Sequence, residues 1–233
     1  MKTVLVTGGA RGIGAEITKI FARNGYTVLL NYFKSEDQAK ALQQILRDEN
    51  CDVHLFQCDV TKEDQVKEMF ERISKLFHRL DVLVNNAGVA LHKQVQETST
   101  QQYDFVMDVN CRGTFYCCKY AVNIFLNQDF GNIVNMSSIW GIKGASCESV
   151  YAMSKHAIVG LTLSLHEELY SSGVCVNCVC PGIVATDMCK HLTDEDIKLF
   201  SATYGAKVVF PDKVAQKIFE IVAEQDSGKI VEV

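Results

Sequence analysis

Short apolar runs alternate with longer amphipathic stretches along the whole chain. The runs lie at Thr3–Thr7, Thr27–Asn31, Val53–Gln57, Val82–Asn85, Ile133–Met136, Val174–Val179 and Lys229–Val233. Unbroken hydrophobicity over so few residues is what a strand covered on both faces requires. Between the runs, apolar positions recur at helical spacing over Gly14–Asn24, Glu36–Asp48, Lys62–Phe77, Gln101–Leu126, Tyr151–Tyr170 and Asp212–Ala223, and Pro211 is placed to open the last helix. Strand and helix in alternation, joined by right-handed crossovers, predict an α/β fold: a doubly wound, Rossmann-type parallel sheet of about seven strands with helices on both faces. A chain of 233 residues without a linker, repeat or low-complexity segment predicts one domain over 1–233.

Composition narrows the choice of partner more than the choice of fold. With 48% hydrophobic and 22% charged residues, the chain matches ordinary globular proteins and not fibrous or disordered ones. Its net charge is −5 with no basic block, so the footprint of a nucleic-acid binder is missing and a small-molecule partner is expected. The first apolar run stops at Thr7-Gly8-Gly9, short of the ~7–15-residue apolar core of a signal peptide. No run approaches the ~20 residues of a membrane span, so a soluble, cytoplasmic protein without a membrane partner is expected. Ten cysteines then read as reduced thiols. Cys175 and Cys178 have a C-x-x-C spacing, but on a strand they face opposite ways, which predicts packing instead of a disulfide or metal site. The six histidines show no metal-ligand spacing, and no metal is expected.

In a doubly wound sheet the ligand sits beyond the carboxyl ends of the strands, and those loops carry the chemistry. The first reads Thr7-Gly8-Gly9-Ala10-Arg11-Gly12-Ile13-Gly14; its glycines permit a tight turn, and N–H groups at the following helix start can meet a pyrophosphate. The spacing G-x-x-x-G-x-G differs from the general G-x-G-x-x-G fingerprint, so a plain structural turn stays open at this point. The fourth strand ends in Asn85-Asn86-Ala87-Gly88 and the fifth in Asn135-Met136-Ser137-Ser138, with Tyr151 and Lys155 further on. Residues four apart on a helix share a face. A phenol with a reference pKa of about 10 needs roughly 4 kcal/mol of differential stabilisation to reach neutrality, part of which a nearby ammonium supplies. Tyr151 beside Lys155 is thus a candidate general acid for a carbonyl oxygen, with Ser138 as a hydrogen-bond donor to that oxygen. An unrelated surface tyrosine and lysine would show the same spacing.

Taken together, Thr7–Gly14, Asn85–Gly88, Asn110, Ser138, Tyr151-x-x-x-Lys155 and Pro181-Gly182 resemble the short-chain dehydrogenase/reductase family over essentially the whole chain. The resemblance implies a nicotinamide-dependent oxidoreductase. It implies that Lys155 also holds the nicotinamide ribose, that Asn110 keeps a water in line to resupply Lys155 with protons, and that Asp59, followed by Val60, meets the adenine amine. Gly8, Arg11, Gly12, Ile13 and Gly14 would cradle the pyrophosphate; Asn86, Ala87 and Gly88 would face the cofactor, and Pro181, Gly182, Ile183 and Thr186 would hold the nicotinamide carboxamide. The second strand ends in Asn31-Tyr32-Phe33-Lys34-Ser35, without the acid that hydrogen-bonds the 2′-hydroxyl of NAD. Lys34, with Arg11 as a second cation, therefore favours NADP(H).

Within the family the chain looks most like the 3-oxoacyl-acyl-carrier-protein reductases of fatty acid biosynthesis, which implies reduction of a ketone to a secondary alcohol. Ser138-Ile139-Trp140-Gly141 with Gly144-Ala145-Ser146-Cys147-Glu148 is also similar to reductases of an aminopentanone group on elongation factor P. A dinucleotide-binding regulator that lost catalysis is the alternative of another class, although such a protein would be free to lose Tyr151 or Lys155. Cys189 to Lys207 is a candidate substrate lid, and His92 a candidate pocket residue. A homo-oligomer is expected: a dimer through Gln101–Leu126 and Tyr151–Tyr170, with the family's usual tetramer in question because Ser227-Gly228 replaces its Ile-Thr-Gly and the glycine-rich tail is missing.

Overall fold

The computed structural model describes residues 1–184, 186, 195, 202–203 and 208–233. Its strands are β1 (Thr3–Val6), β2 (Thr27–Tyr32), β3 (Val53–Gln57), β4 (Val82–Asn85), β5 (Gly131–Met136), β6 (Val174–Cys180), β7 (Ile183–Val184), β8 (Val208–Val209) and β9 (Ile230–Glu232). Its helices are α1 (Gly12–Arg23), α2 (Glu36–Asp48), α3 (Glu63–Phe77), α4 (Thr100–Met107), α5 (Gly113–Gln128), α6 (Ser149–Glu168) and α7 (Pro211–Glu224).

Seven strands form one parallel sheet in the order β3-β2-β1-β4-β5-β6-β9. Strand order reverses between β1 and β4, and the loops leaving these two strands open the crevice in which such sheets bind ligands. Side-chain alternation divides the apolar residues into two layers. Val4, Val6, Val28 and Leu30 pack with Phe21, Leu42 and Ile218 from α1, α2 and α7, whereas Leu5, Leu29, Leu83 and Ile133 pack with Phe70, Cys117 and Phe125 from α3 and α5. All residues of β1, β2 and β4 are buried, so these strands read as unbroken apolar runs and their limits are recognisable from the sequence.

The helix expected over Gln101–Leu126 is interrupted. A capping box between Ser99 and Gln102 opens α4, and a π-turn at Asp108–Arg112 separates it from α5. Side chains impose the change: the Asn110 amide bonds both backbone groups of Val89 at 2.8 and 2.9 Å, and Thr114 Oγ1 donates to the Asn110 carbonyl at 2.8 Å. Such bulges mark functional positions in many helices. The two-residue β7–β8 ladder was not anticipated, being too short for a periodic signal. Most of the candidate lid Cys189 to Lys207 lies outside the described residues.

Cys175 donates to the Gln225 carbonyl at 3.2 Å, and the Cys178 and Cys180 sulfurs lie 3.9 Å apart on the buried face of β6. All cysteines among the described residues are free thiols. Among the described residues no helix is long and apolar enough to cross a membrane.

Candidate active site

The first loop is built around close backbone approach. Gly8 and Gly12 hold φ of +62° and +53°, in the left-handed region that glycine occupies without strain. At Gly14 a Cβ would stand 2.2 Å from the Gly8 carbonyl oxygen and 2.6 Å from Asn86 Nδ2; only a hydrogen fits there. The N-cap of α1, Arg11, makes no side-chain capping bond, and the first turn carries no acidic residue. The helix therefore presents its partial positive charge and backbone N–H groups at the crevice, the arrangement that suits a pyrophosphate.

Two neighbouring loops hold this turn in place. Thr7 Oγ1 accepts from the N–H groups of Asn86 and Ala87, each at 3.0 Å, and Asn86 Nδ2 donates to the carbonyls of Thr7 and Gly8 at 2.9 and 3.1 Å. Asn31 is buried; its oxygen accepts from Gly8 N at 3.3 Å and its amide nitrogen donates to the carbonyls of Phe56 and Cys58. Its side chain is thus committed to bracing the glycine turn against β3, and Tyr32 packs into the apolar core. At the open end of β2, Lys34 is exposed over the Phe33 ring and Ser35 is the N-cap of α2 without a capping bond. Arg11 is exposed as well. Asp59 Oδ1 is taken up by the N–H and hydroxyl of Thr61 at 3.0 and 2.8 Å, and Val60 packs where Gly113 opens α5. Thr186 lies across the crevice, its methyl 3.6 Å from the point where a Gly12 Cβ would be.

Tyr151 and Lys155 both stand on the buried face of α6, at 9% and 5% exposure. The Lys155 ammonium lies 5.6 Å from the Tyr151 ring centroid and donates to the Met136 carbonyl at 2.9 Å. Burial strips it of water and pushes its pKa down to about 8. A Cβ added to Gly88 would sit 3.3 Å from Asn110 Oδ1 and 3.5 Å from Lys155 Nζ, so both residues border the same bare patch of backbone. Asn110 Nδ2 also donates to Ser154 Oγ at 2.9 Å, and that hydroxyl donates to the Tyr151 carbonyl at 2.7 Å. The π-turn is thereby fastened to α6.

Ser138 caps a single 3₁₀ turn, Ile139–Gly141, and its Oγ accepts from Trp140 N at 3.2 Å. That contact uses an acceptor site and leaves the hydroxyl proton to be donated elsewhere. Ser137 Oγ donates to the Lys155 carbonyl and Ile139 N to the Pro181 carbonyl, each at 2.8 Å. The serine turn, α6 and the segment after β6 are therefore interlocked. Ser154 escapes a motif search, because a hydroxyl within a helix carries no pattern of its own, and the motifs that contain Thr7 and Ser137 do not reveal which backbone groups these two hold. His92 stands outside this group, half exposed, with Nδ1 3.7 Å from Glu148.

The sequence profile of the short chain dehydrogenase family matches residues 2–197, a span that takes in the glycine turn, Asn86–Gly88, Ser138, Tyr151 and Lys155. The 3-oxoacyl-acyl-carrier-protein reductase FabG of Staphylococcus aureus is 38% identical over 194 residues, covering 83% of this chain and 79% of that protein. A 3-oxoacyl-acyl-carrier-protein reductase of Synechocystis is 34% identical over 219 residues, covering 93% and 87%. Among solved structures, a dehydrogenase/reductase from Sinorhizobium meliloti superposes with a TM-score of 0.91 at 27% identity, covering 100% of this chain and 93% of the other. A gluconate 5-dehydrogenase from Burkholderia cenocepacia gives 0.93 over the same shares at 22% identity, a likeness of fold alone. The chain belongs to the short-chain dehydrogenases, oxidoreductases that act on CH–OH and C=O groups with a nicotinamide dinucleotide.

Proposed function

We propose that this enzyme uses NADPH to reduce a ketone to a secondary alcohol, on substrates of the 3-oxoacyl-thioester class. The observation that carries the reading is the buried Tyr151–Lys155 pair, interlocked with the Ser138 turn and opening on a glycine cradle that a single Cβ at Gly14 would fill. Gly8, Arg11, Gly12, Ile13 and Gly14 would hold the pyrophosphate, Asp59 and Val60 the adenine, and Pro181, Gly182, Ile183 and Thr186 the nicotinamide, while Asn86, Ala87 and Gly88 would face the cofactor and Lys155 would hold the nicotinamide ribose. A dinucleotide held there would supply hydride for the carbonyl carbon. Ser138 donates a hydrogen bond to the carbonyl oxygen and positions it at the Tyr151 hydroxyl. Tyr151 releases its proton to that oxygen, a general-acid contribution of typically ~100- to 10,000-fold. The Lys155 ammonium stabilises the phenolate left behind, and Asn110, beside the same Gly88 backbone, lies on the path by which a proton returns. Their retention together weighs against a regulator without catalysis.

Exposed apolar side chains on α4, α5 and α6, among them Phe105, Phe115, Met153 and Leu163, support a dimer through these helices.

The role of Lys155 fixes the pH dependence. Its pKa is lowered to about 8, so the ammonium is present below that pH and is lost as pH rises through it. Reduction is expected to hold steady on the acid side of about 8 and to decline above it, measured as kcat/KM for the ketone at saturating NADPH. A rate that climbs through this range would contradict the role.

The lack of an acid among Asn31 to Ser35 at the end of β2, with Lys34 and Arg11 both exposed, supports NADPH over NADH. Kinetics with the two cofactors test the choice. We expect kcat/KM for NADPH to exceed that for NADH by at least about tenfold, and Lys34→Glu to narrow the ratio about tenfold, because one charge pair near a protein surface is worth on the order of 1 kcal/mol or more. Equal use of both cofactors would reject the preference.

A further inference from the structure

Behind the reacting groups lies a small apolar cluster separate from the two main cores. It consists of Ile139, Trp140, Tyr151, Ala152 and Ile183, with Ala145 packed against it. Trp140 is the single tryptophan of the chain and is 7% exposed. It sits two residues after Ser138, and its backbone N–H donates to Ser138 Oγ. On the reading above the carbonyl lies between Tyr151, the proton donor, and the segment after β6 that contains Ile183, and both residues belong to this cluster. The largest side chain in this cluster is an indole. Tyr151 is therefore packed on one side among apolar residues.

Resting on the ketone-reductase reading above, we propose that Trp140 is a specificity-determining residue: its indole walls the flank of the carbonyl site next to Tyr151 and restricts the ketone substituent there to a small, uncharged group such as methyl. The preferred substrates are then methyl ketones, of which an acetoacetyl thioester is the simplest example of the 3-oxoacyl class. A hydrophobic pocket separates groups that differ by one methylene by roughly 10- to 200-fold, so a phenyl in place of methyl should be discriminated at least that strongly.

The test compares acetoacetyl and benzoylacetyl N-acetylcysteamine thioesters on wild type, Trp140→Phe and Trp140→Val. Wild type should favour the acetoacetyl compound, and Trp140→Val should move the kcat/KM ratio towards the benzoylacetyl compound by about tenfold or more, with Trp140→Phe between them. Binding of NADPH, followed by the cofactor's own fluorescence, shows whether each variant is folded. If Trp140→Val fails to bind it, the conservative Trp140→Phe decides the matter. A ratio unmoved in an active variant overturns the assignment. Binding gives an independent readout: with NADP+ bound, acetoacetyl thioester should shift the emission of the sole tryptophan, and unmoved emission at saturation overturns the wall. Wild type that shows the emission shift and no turnover would instead sink the reductase reading while sparing the wall.

Discussion

Tyr151→Phe is expected to lower ketone turnover by about 100- to 10,000-fold, the usual worth of a positioned general acid, while leaving NADPH affinity within about twofold. The substitution removes one oxygen and keeps the ring. Tyr151 is 9% exposed in the cluster with Trp140, Ala152 and Ile183, so the phenylalanine ring retains that packing and stability should change little. Lys155 still donates to Met136 and Ser154 still donates to the carbonyl of residue 151, so the helix and the cofactor side of the site keep their anchors. The contrast between lost rate and kept affinity, read by stopped-flow kinetics and NADPH titration, is the signature of a group that acts on the reacting oxygen. A variant as active as wild type would remove Tyr151 from the mechanism.

Gly14→Ala should instead weaken cofactor binding. The new methyl would lie 2.2 Å from the Gly8 carbonyl oxygen, well inside van der Waals contact, so the turn or the start of α1 must move. Overpacking of this kind costs typically ~1–3 kcal/mol in stability. Displacing the α1 N-terminus also misaligns the N–H groups that would meet the pyrophosphate, and we expect NADPH affinity to fall by about a hundredfold or more. Gly144→Ala is the control, since a Cβ there meets nothing within 4 Å among the described residues and its φ is not positive. Thermal unfolding and NADPH titration on both variants check the claim; unchanged affinity in Gly14→Ala would show that the cradle is not the cofactor site.

Much of the fold was legible because its central strands are covered on both faces. Val53–Gln57, Val82–Asn85 and Glu36–Asp48 fall where periodicity placed them, since each is framed by polar or glycine-bearing turns. The break between α4 and α5 was not legible. It depends on Asn110 reaching Val89 and Ser154, partners distant in sequence, and no local preference announces such a pull. The site divides in the same way. Tyr151 and Lys155 share a face because their spacing requires it, and the glycines reveal the turn because few other residues adopt its backbone. Asn31 illustrates the limit: it stands at the strand end where a cofactor contact is expected, yet its amide is committed to Gly8, Phe56 and Cys58. The bracing roles of Thr7, Ser137 and Ser154 likewise come from contacts that only the folded chain creates. Trp140 was visible as a residue but not as a neighbour of Tyr151 and Ile183.

The most direct test of the account is the consumption of NADPH by the purified protein in the presence of acetoacetyl thioester, followed by the absorbance of the reduced nicotinamide. The account predicts steady oxidation of NADPH with formation of the 3-hydroxy product, dependent on both reactants. Tight binding of NADPH with no oxidation by this or any other ketone would contradict it.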